Sequence, residues 1–284
     1  MAEELPFIYQ FASGAIAGVS EILVMYPLDV VKTRQQLATG TSTGTLATLS
    51  AIVKTEGFAR LYKGISAPIL MEAPKRATKF AANDKWGQFY KKQFGLETMN
   101  QPTAILTGAT AGATESFIVV PFELVKIKLQ DKNTKFNGMS DVLKDILKRE
   151  GPLGLYKGLE STLWRHIFWN AGYFGLIHQI RGLMPKPKST TEKTLIDLTC
   201  GTIGGTFGTI LNTPMDVVKS RIQAGSTKYI WTFPSIATVA KEEGFAALYK
   251  GFIPKVLRLG PGGGILLVVF TTAMDFFRKF HEGK

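Results

Sequence analysis

Long apolar stretches alternate with short charged ones along the chain. Six apolar runs stand out, near residues 7–36, 65–92, 103–130, 160–184, 194–223 and 252–280. At a helical rise of about 1.5 Å per residue, the first would span ~45 Å, enough for a tilted bilayer crossing. Within each third of the chain the two runs are separated by a shorter stretch with helical spacing of apolar positions, such as "SDVLKDILKREG" from Ser140. That spacing predicts a short amphipathic helix. The pattern as a whole predicts an all-α membrane protein with six transmembrane helices.

The same order of elements recurs three times. "PLDVVKTRQQ" begins at Pro27, "PFELVKIKLQ" at Pro121 and "PMDVVKSRIQ" at Pro214, steps of 94 and 93 residues. "EGFARLYKG" from Glu56, "EGPLGLYKG" from Glu150 and "EGFAALYKG" from Glu243 keep those steps, as do "GAIAG" from Gly14, "GATAG" from Gly108 and "GTIGG" from Gly201. The chain therefore reads as one transmembrane domain built of repeats 1–98, 99–192 and 193–284. A soluble helical solenoid is the alternative, but its repeats usually run about 20–50 residues and expose polar faces. A helix such as "GGGILLVVFTTAMDFF" from Gly262 has no such face. The paired glycines are expected to let helix backbones approach closely.

Composition narrows the function. A hydrophobic content of 45% excludes disorder, and a formal net charge of +12 calls for an anionic partner: nucleic acid, anionic lipid or an acidic small molecule. Lys and Arg are dispersed over all three repeats rather than clustered, which argues against nucleic acid. The single cysteine, Cys200, excludes an intramolecular disulfide and reads as a small packed residue. The three histidines lack metal-ligand spacing, and no nucleophile elbow, Walker loop or dinucleotide fingerprint occurs, so no metal, cofactor or enzyme activity is expected. The start "MAEELPFIYQ" has two acidic residues and no Arg, unlike a secretory signal or a cleavable transit peptide.

Ionisable groups at membrane depth need a partner or a water-filled cavity. In the proline motif, Asp29 and Lys32 are three apart and Gln36 four further on, which puts them on one helix face. Threefold repetition brings Asp29, Glu123 and Asp216 alongside Lys32, Lys126 and Lys219. Each acid can then meet a lysine of a neighbouring repeat, with Gln36, Gln130 and Gln223 each able to hydrogen-bond an adjacent pair. Such a ring is a plug that can close and break.

The pattern Px[DE]xx[KR]x[KR], three times and each followed by EG and YKG, resembles the mitochondrial carrier family over nearly the whole chain. The resemblance implies an alternating-access transporter of the mitochondrial inner membrane with both termini in the intermembrane space. It makes the ring a matrix gate with the pairs Asp29–Lys126, Glu123–Lys219 and Asp216–Lys32, and makes the three glutamines braces. The family's cytoplasmic gate is eroded here, leaving Asp84 with Arg181. It also implies cardiolipin bound near Gly64, Gly158 and Gly251 of the YKG triplets, and a monomer is expected.

Seven residues beyond those glycines stand Met71, Arg165 and Arg258. Two arginines facing a cavity suit an anion with two carboxylates, because each guanidinium fork matches two oxygens. In the family these positions and their successors, Met71-Glu72, Arg165-His166 and Arg258-Leu259, contact substrate. "RH" at the second resembles carriers of keto acids and dicarboxylates, which implies exchange of 2-oxoadipate and 2-oxoglutarate, with citrate or malate as the alternative cargo. Lys75 and Arg76 are expected to add positive charge. Glu21 and Glu115, each six before a motif proline, would repel a dianion unless they orient an arginine or take up a proton. The third repeat has Gly208 there.

Overall fold

A computed structural model describes residues 6–40, 43–185, 187 and 189–282. Its long helices are α1 (Phe7–Leu37), α3 (Ser66–Phe94), α4 (Gln101–Gln130), α6 (Leu159–Leu183), α7 (Thr190–Ala224) and α9 (Phe252–Glu282). Its short ones are α2 (Thr45–Glu56), α5 (Met139–Glu150) and α8 (Thr232–Glu243), each followed by one turn of 3-10 helix that carries the YKG tyrosine. No strand occurs among the described residues.

Each long helix packs on the next, α1 on α3, α3 on α4, α4 on α6, α6 on α7, α7 on α9 and α9 on α1, so the six close a ring. The odd-numbered members of the sequence series, α1, α4 and α7, also touch one another across it. Each of these has its motif proline, Pro27, Pro121 or Pro214, inside the helix. A proline there removes a backbone hydrogen bond and bends the helix. Large apolar side chains such as Val24, Phe117, Phe207 and Val268 point outward and are exposed, as a lipid-facing surface requires.

Among the described residues, four helical spans are long and apolar enough to cross a membrane: Ile8–Leu37, Gln101–Gln130, Glu192–Ala224 and Phe245–His281. Helices α3 and α6 have the length but not the hydropathy, because they carry Lys75, Arg76 and Lys79, or Arg165 and His166. The even hydropathy expected of six runs is thus spent at the charged positions of two of them.

Two helix starts lie ahead of the apolar runs. Ser189 caps α7 by accepting the Glu192 N–H at 3.1 Å, so the helix starts at Thr190 rather than near 194. Asn100 does the same for Thr103 in α4. Where each short helix meets its long neighbour, a small core forms. In the second repeat Val142 and Ile146 of α5 are buried against Leu124, Val125 and Leu129 of α4, each side chain contributing roughly 1.5–3 kcal/mol. Cys200 is buried beside Ile177 and Ile180.

The glycines act in two ways. Gly18, Gly112 and Gly205 do not bring backbones together. Each makes a notch for a side chain of the following long helix: Glu72, His166 or Leu259 respectively. A backbone-to-backbone approach occurs between α6 and α7 instead, where a Cβ on Gly172 would lie 2.8 Å from the Gly208 Cα.

Candidate functional site

A cavity of about 760 Å³ runs down the ring of helices. Its lining reaches from Asn83, Gly108 and Phe174 at one end to Asp29, Glu123 and Lys126 at the other. At that second end α1, α4 and α7 converge, and their motif charges meet. Lys126 Nζ lies 2.7 Å from Asp29, Lys32 Nζ 2.6 Å from Asp216, and Lys219 donates to Glu123. Asp216 is almost fully buried, and it also faces Lys255 at 3.2 Å. Buried charges hold only when partnered, and every acid of this ring has at least two cations.

The glutamines behave unequally. Gln36 donates to Asp216 at 3.2 Å and accepts from Ser220 at 2.7 Å, so it supports the Lys32–Asp216 pair. Gln130 instead accepts from Thr33 Oγ1 at 2.6 Å, and Gln223 donates to the Lys157 carbonyl at 3.3 Å. Among the described residues neither bonds an ion pair of the ring. A shared repeat position does not give a shared partner, because the neighbouring side chains differ.

Above the ring stand the two arginines. Arg258 is held firmly: its Nε and Nη2 both donate to Glu21 Oε1, at 2.9 and 2.7 Å, and its Nη1 donates to Asp29 at 2.6 Å. Arg165 is held loosely, 3.4 Å from Glu123 and 3.8 Å from Asp216, and among the described residues its Nε has no hydrogen-bond partner. The first of the two acids ahead of the prolines, Glu21, therefore orients an arginine. The second, Glu115, takes no hydrogen bond or ion pair among the described residues though it is only 7% exposed and lines the cavity.

Met71, Glu72, Lys75, His166 and Leu259 also reach the lining. Glu72 is buried and takes Lys75 at 2.7 Å and Arg76 at 2.6 Å. Arg76 is absent from the lining: it sits against Gly14 and Gly18 of α1, so its charge serves Glu72 rather than the cavity. Asp84 and Arg181 do not meet. Asp84 accepts from Gln88 at 2.8 Å, one turn away, and Arg181 pairs with Asp197 of α7 at 2.9 Å.

Two lining lysines escape the sequence reading. Lys255 bonds Asn212 at 2.5 Å beside Asp216, and Lys79 lines the cavity one turn beyond Lys75. Neither lysine belongs to a repeated motif. Their signal was their asymmetry: their equivalents in the other repeats are uncharged.

The YKG glycines Gly64, Gly158 and Gly251 all have φ between 77° and 85°, a region that favours glycine. A Cβ on them would crowd Leu129, Gln223, or the Lys32 carbonyl with Gln36. Each therefore seats the start of a long helix against the next repeat. Nearby, on the face carrying the short helices, Arg34 grips Glu56 with two hydrogen bonds of 2.8 and 2.7 Å. Arg221 and Lys250 hold Glu243 in the equivalent place, and the Arg221 hydrogen bond is the main cause that keeps its carboxyl down at about 2.

A family model described as "Mitochondrial carrier protein" matches residues 3–94, 97–188 and 190–281. The chain is 68% identical to the mitochondrial citrate transporter D of Aspergillus niger, covering 97% of this chain and 96% of the relative. It is 59% identical to mitochondrial 2-oxodicarboxylate carrier 1 of Saccharomyces cerevisiae, covering 99% and 97%. Identity to the mouse mitochondrial 2-oxodicarboxylate carrier is 40%, with 92% of each chain covered.

Proposed function

The chain belongs to the mitochondrial carrier protein family, and from that premise we propose that it exchanges 2-oxodicarboxylates, 2-oxoadipate against 2-oxoglutarate, across the mitochondrial inner membrane. The observation that carries the reading is the unequal pair of arginines in the cavity. Arg165, held only at 3.4 and 3.8 Å by Glu123 and Asp216, is available to a carboxylate, and Arg258 presents a guanidinium aligned by Glu21. Two carboxylates of one cargo suit these two groups.

The same arginines also touch the ring. A cargo carboxylate that draws Arg258 away weakens its hold on Asp29, and one that draws Arg165 weakens its hold on Glu123 and Asp216. Cargo binding thereby offsets the cost of opening the ring, and a carrier without cargo stays shut. In this reading Asp29, Glu123, Asp216 and their lysines are the matrix gate. Asp84 and Arg181 would pair when the opposite side closes. Gln36 braces the gate, whereas Gln130 and Gln223 hold the seams between repeats.

The repeats 1–98, 99–192 and 193–284 work as one monomeric domain with both termini in the intermembrane space. Cardiolipin phosphates sit at the helix starts next to Gly64, Gly158 and Gly251, where free backbone N–H groups favour an anion. A tricarboxylate is the second reading, favoured by the citrate transporter among the relatives and by Lys79, a further cation on the lining.

Purified protein in liposomes loaded with 2-oxoglutarate tests this. Uptake of labelled 2-oxoadipate is expected, and its loss in Arg165→Ala. Uptake of ATP or an amino acid with no uptake of either oxodicarboxylate would overturn the reading.

A further inference from the structure

Two opposite charges on the lining are left over by the mechanism above. Lys79 on α3 and Glu115 on α4 both face the cavity, from helices that pack together, yet among the described residues they make no ion pair with each other or with another group. Lys79 has no charged counterpart in the other repeats, and Glu115, unlike its counterpart Glu21, is held by no arginine among the described residues. The positions equivalent to Lys79 are Tyr173 and Leu266. Those equivalent to Glu115 are Glu21, which is tied to Arg258, and Gly208. A feature that breaks the repeat inside the cavity does not serve the symmetric frame, so it serves the cargo.

The surroundings of Glu115 define its chemistry. Lys75 and Lys79 face it from α3, Arg165 and His166 from α6, and Glu123 lies two turns along its own helix. The other two long helices that meet α4, α1 and α7, bring Asp29, Lys32, Asp216 and Lys219, which are engaged in the ring, and α5 packs on α4 beyond the cavity, against Leu124, Val125 and Leu129. The lining carries seven Lys and Arg against five Asp and Glu, an excess of two positive charges. That balance suits a dianion. A third carboxylate near Lys79 would meet the bare carboxylate of Glu115, and one proton on Glu115 removes that repulsion and raises the excess to three.

We propose that Glu115 is a proton-binding site and that Glu115 and Lys79 together form a third subsite, which takes the extra carboxylate of a tricarboxylic cargo. The inference rests on the exchange reading above. On the loading side a hydronium gives its proton to the Glu115 carboxylate as the trianion binds Arg165, Arg258 and Lys79. On the far side the acid returns the proton to water as the cargo leaves. The dianion that moves back travels with Glu115 ionised, so trianion plus proton exchanges against dianion with no net charge moved.

The test uses liposomes loaded with 2-oxoglutarate and a trapped pH dye, with citrate as the tricarboxylate probe. The wild-type protein should acidify the lumen by one proton per citrate taken up, at a rate insensitive to an imposed membrane potential. Glu115→Gln should reduce the proton-to-citrate ratio to near zero and make the exchange potential-dependent. Lys79→Gln should raise KM for citrate about tenfold more than for 2-oxoglutarate, as loss of one charge-assisted contact implies.

An unchanged ratio of one in Glu115→Gln overturns the proposal, as does a wild-type protein that exchanges oxodicarboxylates but refuses citrate. Failure of the wild type to exchange 2-oxoglutarate at all would instead sink the reading of function. If Glu115→Gln is too slow to assay, citrate-induced thermal stabilisation in detergent is compared at about pH 6 and about pH 8. Wild type and Glu115→Asp should lose stabilisation toward alkaline pH more than Glu115→Gln. Identical profiles in all three overturn the proposal.

Discussion

Arg165 and Arg258 occupy the same position in two repeats, yet one guanidinium is loosely held and the other is locked between Glu21 and Asp29. The difference predicts different outcomes for the same substitution. Arg165→Lys keeps the charge and loses the fork. It is expected to raise KM for 2-oxoglutarate about tenfold, the cost of roughly one charge-assisted hydrogen bond, with a small effect on stability. Arg258→Lys also loosens Glu21, so transport and Tm should fall together. Uptake kinetics beside a melting curve in detergent separate the two; equal behaviour of both variants would contradict the assignment. The repeat period alone placed these arginines, the ring charges and the glutamines on the same faces. It did not reveal which arginine is free, because that depends on Glu21, an acid from another repeat, 237 residues away in sequence. Lys79 and Lys255 stand out by their asymmetry between repeats, but a search for repeated motifs passes over residues that occur once.

At the scale of elements, helices were readable from apolar runs to within a few residues, and the errors fell where polar caps extend them. Ser189 and Asn100 lengthen α7 and α4 beyond their apolar stretches. Helix contacts were less readable, since a GxxxG spacing does not say whether a backbone or a side chain fills the notch. The α6–α7 contact has the closest approach of a glycine to a neighbouring backbone among the described residues. A Cβ on Gly208 would lie 2.8 Å from the Trp169 carbonyl oxygen, so Gly208→Ala is expected to cost about 1–3 kcal/mol through overpacking. Gly260→Ala, with open space around it, should leave Tm nearly unchanged. A Gly208→Ala protein as stable as wild type would refute this packing.

The links between long and short helices titrate. Glu243 ionises far below its ordinary value of 4.5 because Arg221, and then Lys250, hold its charged form. A depressed folded pKa contributes stability above the unfolded value and loses it as pH falls toward the folded one. The Tm should therefore decline between about pH 4.5 and about pH 2, and Glu243→Gln should be less stable than wild type at neutral pH and decline less steeply. Parallel curves for the two proteins would contradict that role.

Across the whole molecule, three charged ends of three helices close one end of a cavity whose lining arginines reach down to the same carboxylates. Binding and closure therefore share residues. Asp216 is the most connected member, with Lys32, Lys255 and Arg165 within 4 Å. Removing it strands buried cations, so Asp216→Ala should destabilise the protein more than Asp29→Ala or Glu123→Ala, by roughly 3–5 kcal/mol, the cost of a broken buried pair.

The central claim is that cargo is needed to open the ring in either direction. The most direct measurement is uptake of labelled 2-oxoglutarate into liposomes that hold unlabelled 2-oxoglutarate, beside liposomes that hold only buffer. Uptake confined to the loaded liposomes is the predicted result. Equal uptake into both would show that the ring opens without cargo, and would contradict the account.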